Sequence, residues 1–235
     1  MFSLIFVYFA CWANYARSWY EWLTMPDDGV DEINDIFDWF YAIEDPPAPT
    51  NDEMVLILKP GEDMPTNFVP RNKIPAGAVE CTGYMAIVTR EEYKGPVQVL
   101  MLRHNATSKW AGSLDIPGGG VSEKDGPGVE GMKKAARREL MEECGLDPGP
   151  NFPSATILLH PEKHKTKAYN LVEVMFVNKT MVPLPKKEDL EPKFECAQWI
   201  NISEAIAVSE RNLQTPDIRA KNDVPIILRA VLRSS

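Results

Sequence analysis

The sequence predicts an α/β (α+β) protein, an α/β/α sandwich around a mixed β-sheet, carried behind an acidic, aromatic-rich N-terminal extension. Three observations carry this expectation. From residue 54 onward short apolar runs recur with few helical patterns between them, the signature of strands outnumbering helices in a layered fold. One long helical pattern, Glu130–Cys144, interrupts the runs and is closed by Gly145, a residue suited to the left-handed C-cap position. The charge also breaks abruptly. The first 53 residues hold eleven Asp/Glu against a single Arg17, net −10, while the whole chain of 235 residues has a net charge of −9.

Taken in order, residues 2–12 (Phe2 to Trp12) are apolar over the length of a signal-peptide core, but no Lys or Arg precedes them. The run is well short of the ~20 residues of a membrane span. A signal or anchor at residues 2–12 and a weak membrane-surface contact stay open, beside simple packing. Asp31 to Ile43 follows, with Ile33, Ile36, Phe37 and Phe40 at helical spacing and Asp31, Glu32, Asp35 and Asp38 between them, an amphipathic helix with an acidic outer face. Such a helix packs on the domain or mediates self-association. The run Asp45-Pro46-Pro47-Ala48-Pro49-Thr50 is a stiff linker. The boundaries are therefore 1–50 for the extension and 51–235 for one catalytic-sized domain.

Within that domain, Met54–Leu58, Cys81–Val88, Val97–Leu102, Ala155–Leu159, Leu171–Val177 and Glu195–Ile200 read as strands. Ser203–Glu210 reads as a helix capped by Asn201 or Ser203, and Val224–Leu232 as a last helix with Pro225 near its start. Hydrophobic residues at 44% and charged residues at 25% exclude a collagen, a disulfide scaffold and wholesale disorder. The acidity argues against broad nucleic-acid binding. Cys11, Cys81, Cys144 and Cys196 lack C-x-x-C spacing, so no zinc site or disulfide framework is expected and a reducing, cytoplasmic setting is the simpler reading.

The chemistry concentrates between Gly118 and Leu146. On a wheel of about 100° per residue, Ala135, Ala136, Glu139 and Glu143 fall within roughly 60° of Met132, with Glu142 at the sector's edge. Any one of these glutamates, taken alone, is better read as solvated. Three beside an apolar stripe repel one another unless a cation sits among them. Mg²⁺ suits the place, being a hard ion that takes carboxylate oxygens, keeps waters and shares its shell with substrate phosphates; Mn²⁺ is the alternative ion. Arg138 can steady a carboxylate there. The triple glycine Gly118-Gly119-Gly120 permits close approach of backbone to metal or anion.

These residues carry a resemblance. Arg138-Glu139-Leu140-Met141-Glu142-Glu143-Cys144-Gly145-Leu146 matches the R-E-U-x-E-E-x-G-U half of the Nudix box, U being a bulky aliphatic residue. Glu130 stands seven intervening residues before Arg138, as in the family, and Ile116-Pro117-Gly118-Gly119 resembles the box's opening. The box thus spans about residues 118–146. One departure is clear: ten residues, where the family has five, separate Gly119 from Glu130, the extra ones lying in Lys124-Asp125-Gly126-Pro127-Gly128.

The resemblance implies a Nudix-like fold and Mg²⁺-dependent hydrolysis of the pyrophosphate linkage in a nucleoside diphosphate joined to another group, such as an ADP-sugar, a dinucleotide polyphosphate or an NTP. It implies Glu139, Glu142 and Glu143 as metal-binding carboxylates, Arg138 as their support, and Gly119 or Gly120 close to metal or phosphate. Glu130 would support the helix start or a further metal. The competing expectation is a non-catalytic Nudix-fold nucleotide-binding or regulatory module; three glutamates on one helix face argue against it. For the substrate, Trp110 and Tyr84 offer stacking surfaces, although aromatics are mostly structural. Arg103 and His104 follow a strand and offer contacts to phosphate, and Glu173 alternates with Leu171 and Met175 on a strand face that would open on the cleft. Pro161, fifteen residues after Leu146, resembles a proline spacing of ADP-ribose pyrophosphatases, without the rest of that signature.

Overall fold

The computed structural model describes residues 53–89, 96–149, 154–177, 182–214 and 223–234. The expectations for residues 1–52 (the apolar start, the acidic helix and the proline linker) lie outside these. The elements in chain order are β1 (Met54–Leu58), β2 (Asn67–Pro70), β3 (Val79–Thr89), β4 (Gln98–His104), β5 (Leu114–Asp115), β6 (Gly118–Gly120) and α1 (Gly128–Cys144). After them come β7 (Ser154–Leu159), the one-turn α2 (Pro161–His164), β8 (Tyr169–Val177), β9 (Phe194–Asn201), α3 (Ile202–Gln214) and α4 (Asp223–Ser234).

β3 organises the sheet. Its eleven residues are long enough to serve several partners: β8 runs parallel to it from Cys81↔Tyr169 to Thr89↔Val177. On its other side β1 pairs at its start, β6 at Thr82–Tyr84 and β4 at Val88–Thr89, all antiparallel. β9 lines the outer edge of β4, and β7 the outer edge of β8, again antiparallel. One parallel pair among antiparallel ones makes the sheet mixed, as expected.

Side-chain alternation along β3 sends residues to two layers. Tyr84, Ala86 and Val88 face one way and pack with Val172 and Val174 of β8 under Ile202 and Ala205 of α3 and Val224, Ile227, Leu228 and Val231 of α4. Met85 and Ile87 face the other way, where Ala136, Leu140 and Cys144 of α1 cover them with Phe194. Helices on both faces of one sheet give the α/β/α sandwich. The approach of α1 is set by Gly83, where a Cβ would strike the Met132 carbonyl oxygen and lie 2.8 Å from the Ala136 nitrogen. A glycine opposite small helix residues lets two backbones meet.

The expected strands and helices appear with ends shifted by a few residues. α3 starts at Ile202, and Asn201, not Ser203, caps it: the Asn201 Oδ1 accepts the Ser203 N–H at 3.0 Å. α1 ends as expected on Gly145, whose φ is 65° and whose N–H donates to the Met141 carbonyl. β2, β5, β6 and α2 have no counterpart in the sequence reading. β6 consists of three glycines and so carries no side-chain period, while β5 is two residues long. Among the described residues no helix is long and apolar enough to cross a membrane. Cys81, Cys144 and Cys196 are free thiols, and burial pushes the first two well above the ordinary thiol range.

Candidate active site

The site is built where α1 passes the β5–β6 turn. Arg138 lies near its centre. Its Nη1 donates to Glu139 Oε1 at 2.7 Å and to Glu142 Oε2 at 2.8 Å. Its Nε and Nη2 donate to the two oxygens of Asp125 at 3.1 and 3.0 Å, and Nη2 also reaches the Gly120 carbonyl at 2.9 Å. One planar guanidinium thus fixes two glutamates of the helix against the glycine strand. Burial acts to lower the Arg138 pKa, but the hydrogen bonds to Asp125 and Glu139 outweigh it, and the group stays charged.

The carboxylates differ by depth; the wheel sets Glu142 apart but places Glu139 and Glu143 alike. Glu142 is exposed at 55% of its side chain, Glu139 retains 14%, and Glu143 only 2%. Burial lifts the Glu139 carboxyl above the ordinary range, only partly offset by Arg138. Gly119 sits directly on that carboxylate: a Cβ there would lie 2.5–2.8 Å from the Glu139 carboxyl atoms. The backbone of the triple glycine therefore comes close to the Glu139 carboxylate at Gly119.

Glu143 has both oxygens occupied. Oε2 accepts the Gly118 N–H at 2.9 Å, and Oε1 stands 2.8 Å from Lys193 Nζ. Burial raises the Glu143 carboxyl well above the ordinary range, against the pull of Lys193 and with Asp115 adding to the rise. Burial would lower Lys193, but Glu143 and Glu191 hold its ammonium above the usual range.

Two of these residues were missed by the sequence reading. Asp125 lies in the five-residue excess of the box, where it looked like part of a spacer. It is 5% exposed, and Ser122 donates to it through both N–H and Oγ at 2.9 Å. Burial acts to raise its carboxyl, yet the hydrogen bonds from Arg138 and Ser122 hold it below the ordinary carboxylate range. Lys193 precedes β9, far from the box in sequence, and nothing in its neighbourhood flags it.

Of the two roles expected of Glu130, its position agrees with the first, support of the helix start. It stands in the first turn of α1, where a carboxylate favours the helix dipole, but its side chain is 79% exposed and pairs with Lys133 at 3.3 Å. Nine residues before Glu139, at about 100° each, it falls on the opposite side of the helix. Asp125 takes the place beside Arg138 instead.

The substrate candidates divide. His104 is buried, its Nε2 3.2 Å from Asp115 Oδ2 and its Nδ1 3.0 Å from Ser108 Oγ, so it ties the β4–β5 loop together and does not face solvent. Tyr84 is 5% exposed and belongs to the core. Trp110 is half-buried on the β4–β5 loop with Lys109 Nζ 5.4 Å from its ring centre, and Arg103 Nη1 reaches the Gly112 carbonyl at 3.4 Å. Glu173 does face the α1 side of the sheet, but it is 1% exposed and accepts the hydroxyls of Thr156 and Ser154 at 2.5 and 3.1 Å. Pro161 opens α2, and His160 packs edge-on against Tyr169.

The donor set of α1 is all oxygen, the chemistry of a hard divalent cation. Glu139 Oε2 and Glu142 Oε1 accept no hydrogen bond from the described residues. Asp125, Glu139, Glu142 and Glu143 are paired locally with only two cations of the described residues, Arg138 and Lys193, which leaves carboxylates in excess. Among the described residues no three acidic, His or Cys side chains converge closely enough to enclose an ion.

The chain is similar to known proteins. A family model described as the NUDIX domain matches residues 81–220. No curated protein matches the chain. Among solved structures, the Deinococcus radiodurans protein DR0079 superposes with a TM-score of 0.54 at 17% identity, covering 76% of this chain and 98% of its own. A NUDIX hydrolase from Alicyclobacillus acidocaldarius gives 0.45 at 13% identity, covering 66% of this chain and 91% of its own. The NUDIX domain of Shewanella oneidensis NrtR, crystallised with ADP ribose, gives 0.43 at 14% identity, covering 66% and 88%.

Proposed function

This chain belongs to the Nudix family, and from that premise we propose that it hydrolyses the pyrophosphate linkage of a nucleoside diphosphate derivative with the help of Mg²⁺. The observation that carries the proposal is the arrangement of Arg138, Glu139 and Glu142 against Gly119. Two carboxylates are locked by one guanidinium, each keeps an oxygen outside its hydrogen bonds, and the backbone beside them has no side chain. A solvated helix face has no reason to place a carboxylate against a glycine strand.

Glu139 and Glu142 would hold the ion, with Glu143 the third carboxylate of the family motif and Gly119 adjoining. When bound, Mg²⁺ neutralises phosphate charge and lowers the pKa of a coordinated water. The chain's own residues provide the positioning. Arg138 fixes both glutamates, and Asp125 fixes Arg138, so the carboxylates need little reorganisation as negative charge develops. Burial of Glu139 under Gly119 limits water around its carboxylate. Trp110, Lys109 and Arg103, on or beside the β4–β5 loop, would receive the base and outer phosphates of the substrate. β5 continues from that loop directly into the glycine strand.

Turnover of a panel of ADP-sugars, dinucleotide polyphosphates and NTPs with Mg²⁺ tests the proposal, with Glu142→Gln as the control. Turnover by the wild type and its collapse in the variant is the expected result. Nucleotide binding without turnover of any panel member would instead make the chain a binding module.

A further inference from the structure

The β4–β5 loop hangs from a buried polar chain. Asp115 of β5 and His104 of β4, at its root, are 1% and 2% exposed. Asp115 Oδ1 accepts the Ile116 N–H at 2.9 Å, and Oδ2 lies 3.2 Å from His104 Nε2. With Nε2–H donated to the carboxylate, Nδ1 of a neutral ring is left as an acceptor. Ser108 Oγ stands 3.0 Å from that nitrogen, and the same oxygen accepts the Trp110 N–H at 3.2 Å. Each donor in the chain then has its acceptor: imidazole to carboxylate, hydroxyl to imidazole, tryptophan amide to hydroxyl. The Trp110 carbonyl is held as well, accepting the Ser113 N–H at 3.0 Å and the Ser113 hydroxyl at 2.7 Å. Asn105 Oδ1 fixes Ser108 from its other side, accepting its N–H at 3.0 Å. The backbone of Trp110 is thus clamped at both ends, while its ring stays half-buried beside exposed Lys109.

We propose that Ser108 is a positioning residue for the substrate, setting the place of Trp110 from the buried His104–Asp115 pair. This role rests on the reading of Trp110 as the surface that receives the base, and goes beyond it by naming what holds that surface. The physical ground is preorganisation. A ring that must be ordered on binding loses part of its stacking energy to that ordering, and a ring whose backbone is already fixed does not. Removing the Ser108 hydroxyl takes a donor from His104 Nδ1 and an acceptor from the Trp110 N–H at once. The segment satisfies them again by turning toward water, and that shift carries the ring away from the base. Asp115 also leads through Ile116 and Pro117 directly into β6, so one chain ties the base-binding loop to the glycine strand.

Steady-state kinetics on the full chain, with whichever member of the Mg²⁺ panel it turns over fastest, tests this. Ser108→Ala is expected to raise KM about fivefold, the lower end of what one stacked base contributes, with kcat within about twofold of the wild type. Ser108→Thr keeps the hydroxyl and is expected to restore KM. The deciding measurement is a double-mutant cycle. In a Trp110→Ala background, Ser108→Ala is expected to change KM by less than about 1.5-fold, because the ring through which it acts is gone. Should Ser108→Ala fail to fold, Ser108→Cys carries the same cycle, since a thiol is a weak donor and a weak acceptor. An unchanged KM in folded Ser108→Ala, or an equal rise in both backgrounds, would overturn the proposal, the second result marking Ser108 as structural only. If Trp110→Ala leaves KM unchanged, the placement of Trp110 and this role fall together while the hydrolase reading stands. A wild type that turns over no panel member overturns the hydrolase reading, and this one with it.

Discussion

Replacing Gly119 with alanine places a methyl group at the closest approach in the site. Its Cβ would lie 2.5, 2.6 and 2.8 Å from Oε1, Cδ and Oε2 of Glu139, where ordinary van der Waals contact begins at 3.4 Å. The carboxylate must therefore retreat by about 0.6–0.9 Å. It has little freedom to do so, because Arg138 holds it at 2.7 Å and Asp125 holds Arg138 at 3.0 and 3.1 Å. A displacement near 1 Å in a reacting constellation costs on the order of 100-fold in rate, which is about 2.7 kcal/mol of barrier. Stability is expected to fall less, by about 1–2 kcal/mol, because the methyl group meets the end of a side chain and not a backbone. The assay is kcat at saturating substrate and Mg²⁺, with the melting midpoint measured on the same preparation. A folded variant whose kcat stays within about threefold of wild type, under 1 kcal/mol of barrier, would refute the argument that Glu139 is held in place by that contact.

Gly83→Ala differs in kind: its Cβ meets helix backbone, so about 3 kcal/mol of stability and a fall of roughly 6–12 °C in the melting midpoint are expected by differential scanning calorimetry; an unchanged midpoint would mean α1 can move away at no cost. Asp125 titrates below its unfolded value, so its contribution to stability is fully present above about pH 3.9 and is lost as the pH falls through the depressed folded value. Asp125→Asn should therefore flatten the dependence of the melting midpoint on pH below 4 and lower kcat at neutral pH through a less constrained Arg138; identical acid profiles would dismiss that contribution. Trp110→Ala is expected to raise KM about tenfold with kcat held, the cost of one lost base stack, and an unchanged KM would remove Trp110 from the substrate site. Chelation by EDTA should abolish turnover and either Mg²⁺ or Mn²⁺ restore it, as read in the same assay.

What the sequence makes legible follows from where periodicity speaks. That Glu142 is the shallowest of the three glutamates is readable because all share one helix with buried Met132, Ala135 and Ala136; the wheel places Glu139 and Glu143 alike, and their difference comes from the partners each meets. The same wheel places Glu130 on the far side, where it pairs with Lys133 at the helix start. Asp125 was hidden because an insertion rich in glycine and proline resembles a spacer. Its signal was local: Ser122 three residues before it makes a turn that aims the carboxylate inward. Lys193 had no local signal at all. Its partner is fifty residues away in sequence, and only the pairing of β9 with β4 brings the segment before β9 to the helix. Likewise β6 exists because Thr82–Tyr84 offers an unpaired edge to a backbone with no side chains, which no residue pattern reports.

The eleven residues of β3 have a consequence for how the protein moves. β1, β6, β8 and β4 are all hydrogen-bonded to this strand, and α1 lies on its Gly83. An excursion large enough to bare Glu143 would have to detach the helix from β3 and, with it, the seam that joins both layers of the core. Amides of Gly83 to Ile87 should then exchange with deuterium only through global unfolding, at the slowest rate in the domain. α1 has no private route to disorder. Loss of activity on heating and loss of the fold should coincide, so a melting curve and an inactivation curve of this protein would superimpose.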